Sequence, residues 1–473
     1  MTATHQLCSL DATVLAGLLQ SGAVSAENVM SAFLERIHQF NPRVNAICTL
    51  IDEDQAMAMA RAADKRRSSG QPLGPLHGVP MACKDLVAVK GMRTTFGSRA
   101  MANNVPDYDH LVAERLKSAG ALIIGKTNIP EFGAGSHTFN ELFGTTNNPY
   151  SLDRTAGGSS GGAAAALAAR MLPLADGSDM GGSLRNPAAF CNVVGLRPSM
   201  GRVPSWPTAM AWQSRLGIEG PMARNVDDLA LLLSVLAGPD SRDPRSLNEP
   251  GSQFRTVDDI DPSELRIGYS ADLGFLPLEP AVRSLFESAI SDFHAMGCEI
   301  STDVPELNDA MDVFRTLRAN FYAAMCGPML EQHRDILKQT LVANTELGLK
   351  LSAQDLARAD VTRTEIYQRM HRFFENHDAL VLPSTQVMPF NKDNEWVEQI
   401  NGTPMSDYLE WMTICCVVTV TDLPVISVPC GFDELGLPAG LQIVGRPGAD
   451  LTVMKIAKAF MAKTRHGDRE PLL

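Results

Sequence analysis

No two cysteines of this chain are spaced C-x-x-C. The nine that exist, Cys8, Cys48, Cys83, Cys191, Cys298, Cys326, Cys415, Cys416 and Cys430, are odd in number and scattered, which argues against a zinc ribbon or a dithiol redox centre. They are expected as reduced, mostly buried thiols of a cytoplasmic protein. Basic charge is also short: 41 Lys and Arg stand against 54 Asp and Glu, a formal net charge of -13. A protein that grips a phosphate backbone would ordinarily carry a basic face, so nucleic acid is not expected as a direct partner. Long apolar runs are lacking too. The most apolar stretch, residues 411–429, contains Asp422 and Pro424, and the short N-terminal run has no Lys or Arg before it and is interrupted by Asp11. Neither a membrane span nor a secretory signal is expected. Finally, no Gly/Ser or Pro-rich tract and no fixed-period repeat divides the 473 residues. Length alone suggests two or three domains, whereas the even composition points to one large core.

What is present reads as α/β. Helical periodicity runs through residues 11–20, 26–39 and 53–66 and recurs at 110–119, 162–171, 226–237, 279–296, 353–376 and 449–463. Between these helices lie short apolar segments expected as strands: VPMACKDLVAV (79–89), ALIIGK (121–126), LPLADG (172–177), LRIGYS (265–270), ALVLPS (379–384), PVISVP (424–429) and GLQIVG (440–445). Strands without a polar face, alternating with helices, describe a sheet covered on both sides. A helix-rich insertion is expected at about 305–376.

Two motifs match in letters only. GALIIGKT, residues 120–127, satisfies the P-loop pattern, but Ala121, Leu122, Ile123 and Ile124 build a buried strand where a phosphate-cradling loop is needed. AGGSSGG, residues 156–162, satisfies G-x-S-x-G at both Ser159 and Ser160. A nucleophile elbow requires a strand directly before it; NNPYSLDRT reads as turn, and the downstream His294, His371 and His377 lie on helical patterns. A linker is equally out of place, because regular elements continue densely on both sides.

Ser159 is followed 24 residues later by Ser183, within DGSDMGGSLRNPAAFCNVVGLRPS. GGSSGG, an Ala-rich helix, GSDMGGSLRNP and GLRPS together resemble the signature of the amidase signature family. In PLHGVPMACKDLV, Lys84 lies 75 residues before Ser159, where that family has a lysine. Weaker likeness covers most of the chain, including LIIGKTNIPEF, FGTTNNPYS and GIEGPMARNVDDLALLL. The resemblance implies a Ser, cis-Ser, Lys triad on Ser183, Ser159 and Lys84, and an oxyanion hole at Met180, Gly181, Gly182 and Ser183. It further implies a metal-independent amidase without cofactor acting on a small-molecule amide, with aryl esters and carbamates also within reach. The fold implied is a large mixed sheet flanked by helices in a single domain over 1–473, with its signature core at about 79–199; members are often homodimers.

Chemistry gives each residue a reason. The Ser183 hydroxyl is a poor nucleophile until a base takes its proton, and Ser159 can accept that proton while donating its own. Lys84 is a base only when neutral, so its ordinary pKa of about 10.4 must be lowered by burial, for which Val79, Met81, Cys83 and Leu86 are suitable neighbours. Asp85 would oppose that lowering, but strand alternation sends it to the other face. Small neighbours let the Ser159 backbone adopt a cis shape. In Met180-Gly181-Gly182-Ser183 the missing Cβ atoms let N–H groups approach a substrate oxygen. Ser160 and Ser178 read as structural hydrogen-bonders. Asp179 and Arg185 read either as supports that orient the serine loops or as a simple ion pair.

Two other functions compete with a stand-alone amidase. The A subunit of a Glu-tRNA(Gln) amidotransferase, a glutaminase within a complex, resembles this chain but carries a Y-D-G-x-R-Y-G stretch, where LRIGYSADLGF and VFRTLRANFYAAM stand here. A non-catalytic binding protein is disfavoured because all three triad residues are present. Trp206, Trp212, Phe321, Tyr322, Trp411 and Met412 are candidates for a pocket wall, and core packing explains each equally well. They lean toward an apolar or aryl amide.

Overall fold

In the computed structural model, which describes residues 3–212 and 216–473, the seven expected apolar segments all form strands, but they divide between two sheets. Five of them enter an eight-stranded mixed sheet with the order 299–301, 266–269, 379–383, 438–445, 425–432, 194–197, 218–223, 175–179. The first three strands run parallel and the remaining pairs are antiparallel. Pro80–Lys84 and Leu122–Thr127 join Ile47–Leu50 in a separate three-stranded sheet.

Successive strand residues of the large sheet enter different cores, as the two-residue period requires. Ala379, Val381, Ile426, Val428, Leu441 and Ile443 pack with Val453, Met454 and Phe460 of the helix Asp450–Thr464. Leu380, Leu382, Val425 and Val444 pack on the other side with Phe190, Trp411 and Val417. Both faces are thus covered by helices, and the fold is the α/β arrangement expected. All nine expected helices are present within a few residues of their anticipated ends, and the insertion holds Ala310–His333, Gln339–Leu349 and Ala353–Asn376.

Three local expectations need correction. Only Pro80–Lys84 of the segment 79–89 is strand, because the chain turns at once to bring Asp85 against Thr95. Val194–Arg197 and Ile218–Ala223 are sheet strands that the pattern does not reveal; both are short, and Gly220 and Pro221 disguise the second. The segment NNPYSLDRT, expected as turn, contains the strand Ser151–Thr155, which pairs with Asn147–Asn148 in a two-stranded hairpin and bridges Asn391 through Arg154. It does not feed AGGSSGG from the central sheet.

Eight of the nine cysteines are buried and none is in a disulfide. Among the described residues no helix is long and apolar enough to cross a membrane.

Candidate active site

Lys84 ends the fully buried strand Pro80–Lys84 and faces the edge strand Ala175–Asp179 of the large sheet. Its backbone N–H donates to both oxygens of buried Asp176 at 3.2 Å. The amine, with no exposure, donates to Ser160 Oγ at 2.8 Å, to Ser159 Oγ at 2.9 Å and to Ser178 Oγ at 2.9 Å. Burial pushes its pKa down to about 7, against the opposing pull of the Asp176, Asp179 and Glu219 carboxylates. Asp85 points away, accepting from Thr95 and Gly97.

The three hydroxyls are not equivalent. Ser160 Oγ donates to Ser178 O at 3.3 Å, so its oxygen faces the amine as an acceptor. Ser160 is also the N-cap of the helix Gly161–Ala168, yet its side chain caps no N–H. A serine at that position normally stabilises its helix; here the hydroxyl holds the lysine instead. Ser159 Oγ has the amine as its partner, so its proton can turn to the lone pair of a neutral lysine.

The glycines of AGGSSGG serve close packing. A Cβ on Gly157 would lie 2.6 Å from Asn186 Oδ1, on Gly161 2.3 Å from Thr138 Oγ1, and on Gly162 2.4 Å from Asn128 N. Asn186 clamps the strip: its Oδ1 accepts from Gly158 N at 2.9 Å while its Nδ2 donates to Gly158 O at 2.7 Å. The Gly158–Ser159 peptide is cis. Ser160 N donates to Ser183 O at 3.3 Å, tying the two serine loops together.

Residues 180–184 curl around Asp179. Its two oxygens accept from Gly182 N at 2.9 Å and Leu184 N at 3.0 Å, and both also bind Arg185. These contacts, with the guanidinium groups of Arg185 and of buried Arg197, whose Nη1 lies 3.7 Å from Oδ1, hold its carboxyl well below the usual range despite complete burial. Gly182 N–H is therefore already engaged by a carboxylate oxygen. The missing side chains face inward: a Cβ on Gly181 would lie 2.8 Å from Phe314 Cζ, and one on Gly182 2.6 Å from Cys415 Cβ.

Ser159, Ser178 and Ser183 open onto a cavity of about 390 Å³. Phe96, Met101 and Phe132 form one side, and the helix Ala310–His333 supplies Phe321, Tyr322, Met325 and Met329 to the other. Of the six aromatic and methionine candidates, only Phe321 and Tyr322 line it. Trp206 lies under Arg242, Trp212 is 83% exposed, Trp411 stacks on Phe190 in the core, and Met412 packs behind Gly181. Phe96, Phe132 and Met101 give no signal in the signature, since the loops that carry them approach it only after folding. Asn186 lies inside the motif, where its clamping role is not visible from the letters alone. Ser178, read as structural, is bonded directly to the lysine. Lys126 of the apparent P-loop is fully buried and donates to Val87 O, and Leu122–Thr127 is strand throughout. His377 is spent on Phe373 O. Among the described residues no cluster of His, Cys, Asp or Glu is arranged to hold a metal ion.

A family model described as Amidase matches residues 28–454. The chain is 36% identical over 491 residues to the A subunit of a glutamyl-tRNA(Gln) amidotransferase of Symbiobacterium thermophilum, covering 98% of this chain and 99% of that one. It is 34% identical over 465 residues to an acylamidase of Rhodococcus erythropolis, covering 98% and 97%. The crystal structure of a bacterial aryl acylamidase superposes with a TM-score of 0.88 at 30% identity, covering 97% of this chain and 98% of that one. Fold and matches together define an amide-hydrolysing enzyme. The chain belongs to the amidase signature family.

Proposed function

We propose that this enzyme, working as one unit over its whole length, hydrolyses a small carboxylic amide with an apolar or aryl portion through an acyl-enzyme on Ser183. The observation that carries the reading is the buried Lys84 amine, bonded to Ser159 and two further serines beside a cavity onto which Ser159 and Ser183 both open. In the proposed cycle Ser159 passes its proton to neutral Lys84 and takes the proton of Ser183, whose Oγ attacks the carbonyl carbon. Backbone N–H groups of Met180, Gly181 and Ser183 stabilise the oxyanion, an effect typically worth about 3–4 kcal/mol per donor. Gly182 contributes by anchoring the loop through Asp179. Return of the proton to the leaving nitrogen lets the C–N bond break, and water then releases the acid by the same relay. Ser160 and Ser178 hold the amine in place, and Asp179 with Arg185 holds the Ser183 loop.

A fluorophosphonate probe tests this assignment: it should label the peptide containing Ser183 and stop hydrolysis of an anilide panel. Labelling at Ser159 instead would overturn it.

The likeness to the A subunits of amidotransferases supports glutamine as an alternative substrate. Glutamine brings an α-carboxylate that calls for a cation, and the described cavity wall holds no Arg or Lys. The apolar lining favours the acylamidase reading. Glutaminase activity, or co-purification with partner subunits, would reverse that preference.

A further inference from the structure

One end of the cavity departs from its apolar walls. Glu219 lies on the strand Ile218–Ala223, directly across from Ser178 on Ala175–Asp179. Residues so paired project from the same face with Cβ atoms roughly 4.5–5.5 Å apart, and Ser178 Oγ is itself a partner of the Lys84 amine. Glu219 therefore stands beside the reacting groups, and it lines the cavity together with His110 and Ser205.

Two side chains hold the carboxylate at the cavity wall. Ser205 Oγ donates to Glu219 Oε1 at 3.0 Å. His110 Nε2 lies 3.7 Å from the same oxygen, but His110 Nδ1 accepts the backbone N–H of Val112 at 3.2 Å. With Nδ1 turned to that N–H, Nε2 is the ring nitrogen that faces the carboxylate. Among the described residues a hydroxyl and an imidazole thus flank the Glu219 carboxylate, and the Lys84 amine lies within electrostatic reach of it. The side chain keeps 20% exposure and lines a cavity whose apolar wall includes Phe96, Phe132, Phe321, Met101, Met325 and Met329. An anionic group so placed favours a cation beside apolar surface, and the formal net charge of -13 draws cations toward the molecule at long range.

We infer that Glu219, held by Ser205 and His110, is a specificity residue that selects amides carrying a protonated amine alongside their apolar portion. The inference rests on the amide-hydrolase reading and adds the class of substrate.

The test uses matched substrates in which a primary ammonium replaces a terminal methyl, on the acyl part in one pair and on the amine part in the other. The wild-type enzyme should favour the ammonium member of at least one pair by tenfold or more in kcat/KM. In Glu219→Gln, which keeps the shape and can still accept from Ser205, that ratio should fall to near one, and Glu219→Asp should keep part of it. The ratio is insensitive to any general loss of rate, so an effect of Glu219 on Lys84 alone would lower both members together and overturn the inference. A wild-type enzyme with no preference for the ammonium would overturn it as well. If the wild-type enzyme hydrolysed none of the compounds, the amide-hydrolase reading would fail, and calorimetric binding of the same pairs to wild type and Glu219→Gln would decide the inference on the same ratio.

Discussion

The carboxylate of Asp179 and the guanidinium of Arg185 meet through two hydrogen bonds, Nη2 to Oδ1 at 2.9 Å and Nε to Oδ2 at 3.0 Å, with neither side chain exposed. The same oxygens accept Gly182 N and Leu184 N, and Arg185 continues to Gln442 Oε1 at 2.8 Å and Thr419 Oγ1 at 2.7 Å. The pair is therefore both of the things its sequence allows, an ion pair and the anchor of the Ser183 loop. It fixes that loop to the central sheet, since Gln442 lies on the strand Pro438–Gly445.

Asp179→Asn should accordingly damage stability and activity together. The substitution leaves buried Arg185 with a neutral partner, and breaking a buried pair from one side typically costs about 3–5 kcal/mol. Urea unfolding should show a midpoint lowered to match. An unchanged midpoint would mean that water or another carboxylate reaches Arg185.

The hydroxyls of Ser159 and Ser160 both bond the Lys84 amine, yet their alanine variants should differ. Ser160 directs its proton to Ser178 O, so it cannot also hand that proton to the lysine. Ser159→Ala should lower kcat by about two to four orders of magnitude with little change in KM, the range for loss of a proton-transfer group. Ser160→Ala should lower kcat less. Steady-state kinetics on one anilide would settle the order, and the reverse order would exchange the relay assignment.

The core of this site is legible because it is local in sequence. Ser159, Ser183, Asp179 and Arg185 lie within one signature, and Lys84 lies 75 residues before Ser159, where the resemblance leads one to look for a lysine. What stays hidden depends on tertiary approach. Glu219 becomes a neighbour of Ser178 only through the strand Ile218–Ala223, which Gly220 and Pro221 conceal. The cavity wall comes from residues 96–132 and from the helix Ala310–His333, whose separation from the signature gives no sequence clue. The glycines at 181 and 182 also make room for Phe314 and Cys415, contacts that the letters of the motif do not show.

Gly182→Ala tests that last point. The residue has φ of +115°, and a Cβ would lie 2.6 Å from Cys415 Cβ, so neither backbone nor neighbour can yield easily. Overpacking of this kind costs about 1–3 kcal/mol, and the loop must shift to relieve it. The variant should lose both thermal stability and reaction with the fluorophosphonate probe. Full labelling at an unchanged melting temperature would show that the loop tolerates the methyl group.

Lys84→Met should abolish turnover while gaining stability at neutral pH, and the sign of its pH dependence follows from the lysine's pKa. Burial lowers the folded value from 10.5 to about 7, so between these values the unfolded chain holds a proton that the folded protein lacks. Stability of the wild-type protein rises with pH wherever the unfolded state binds more protons. The penalty for burying this amine is thus complete below about pH 7 and fades toward pH 10.5. At about 1.36 kcal/mol per unit, its upper bound is about 5 kcal/mol. Methionine fills similar volume and carries no proton, but it forfeits the hydrogen bonds to Ser159, Ser160 and Ser178, each worth about 0.5–1.5 kcal/mol. The stability advantage of Lys84→Met should therefore be greatest near pH 7 and shrink, or reverse, by pH 9.5. Denaturant titrations of both proteins at pH 7, 8 and 9.5 measure the difference directly. A difference that stays constant over this range would mean that Lys84 keeps an ordinary ammonium pKa in the folded protein, and its role as the base would lose its physical ground.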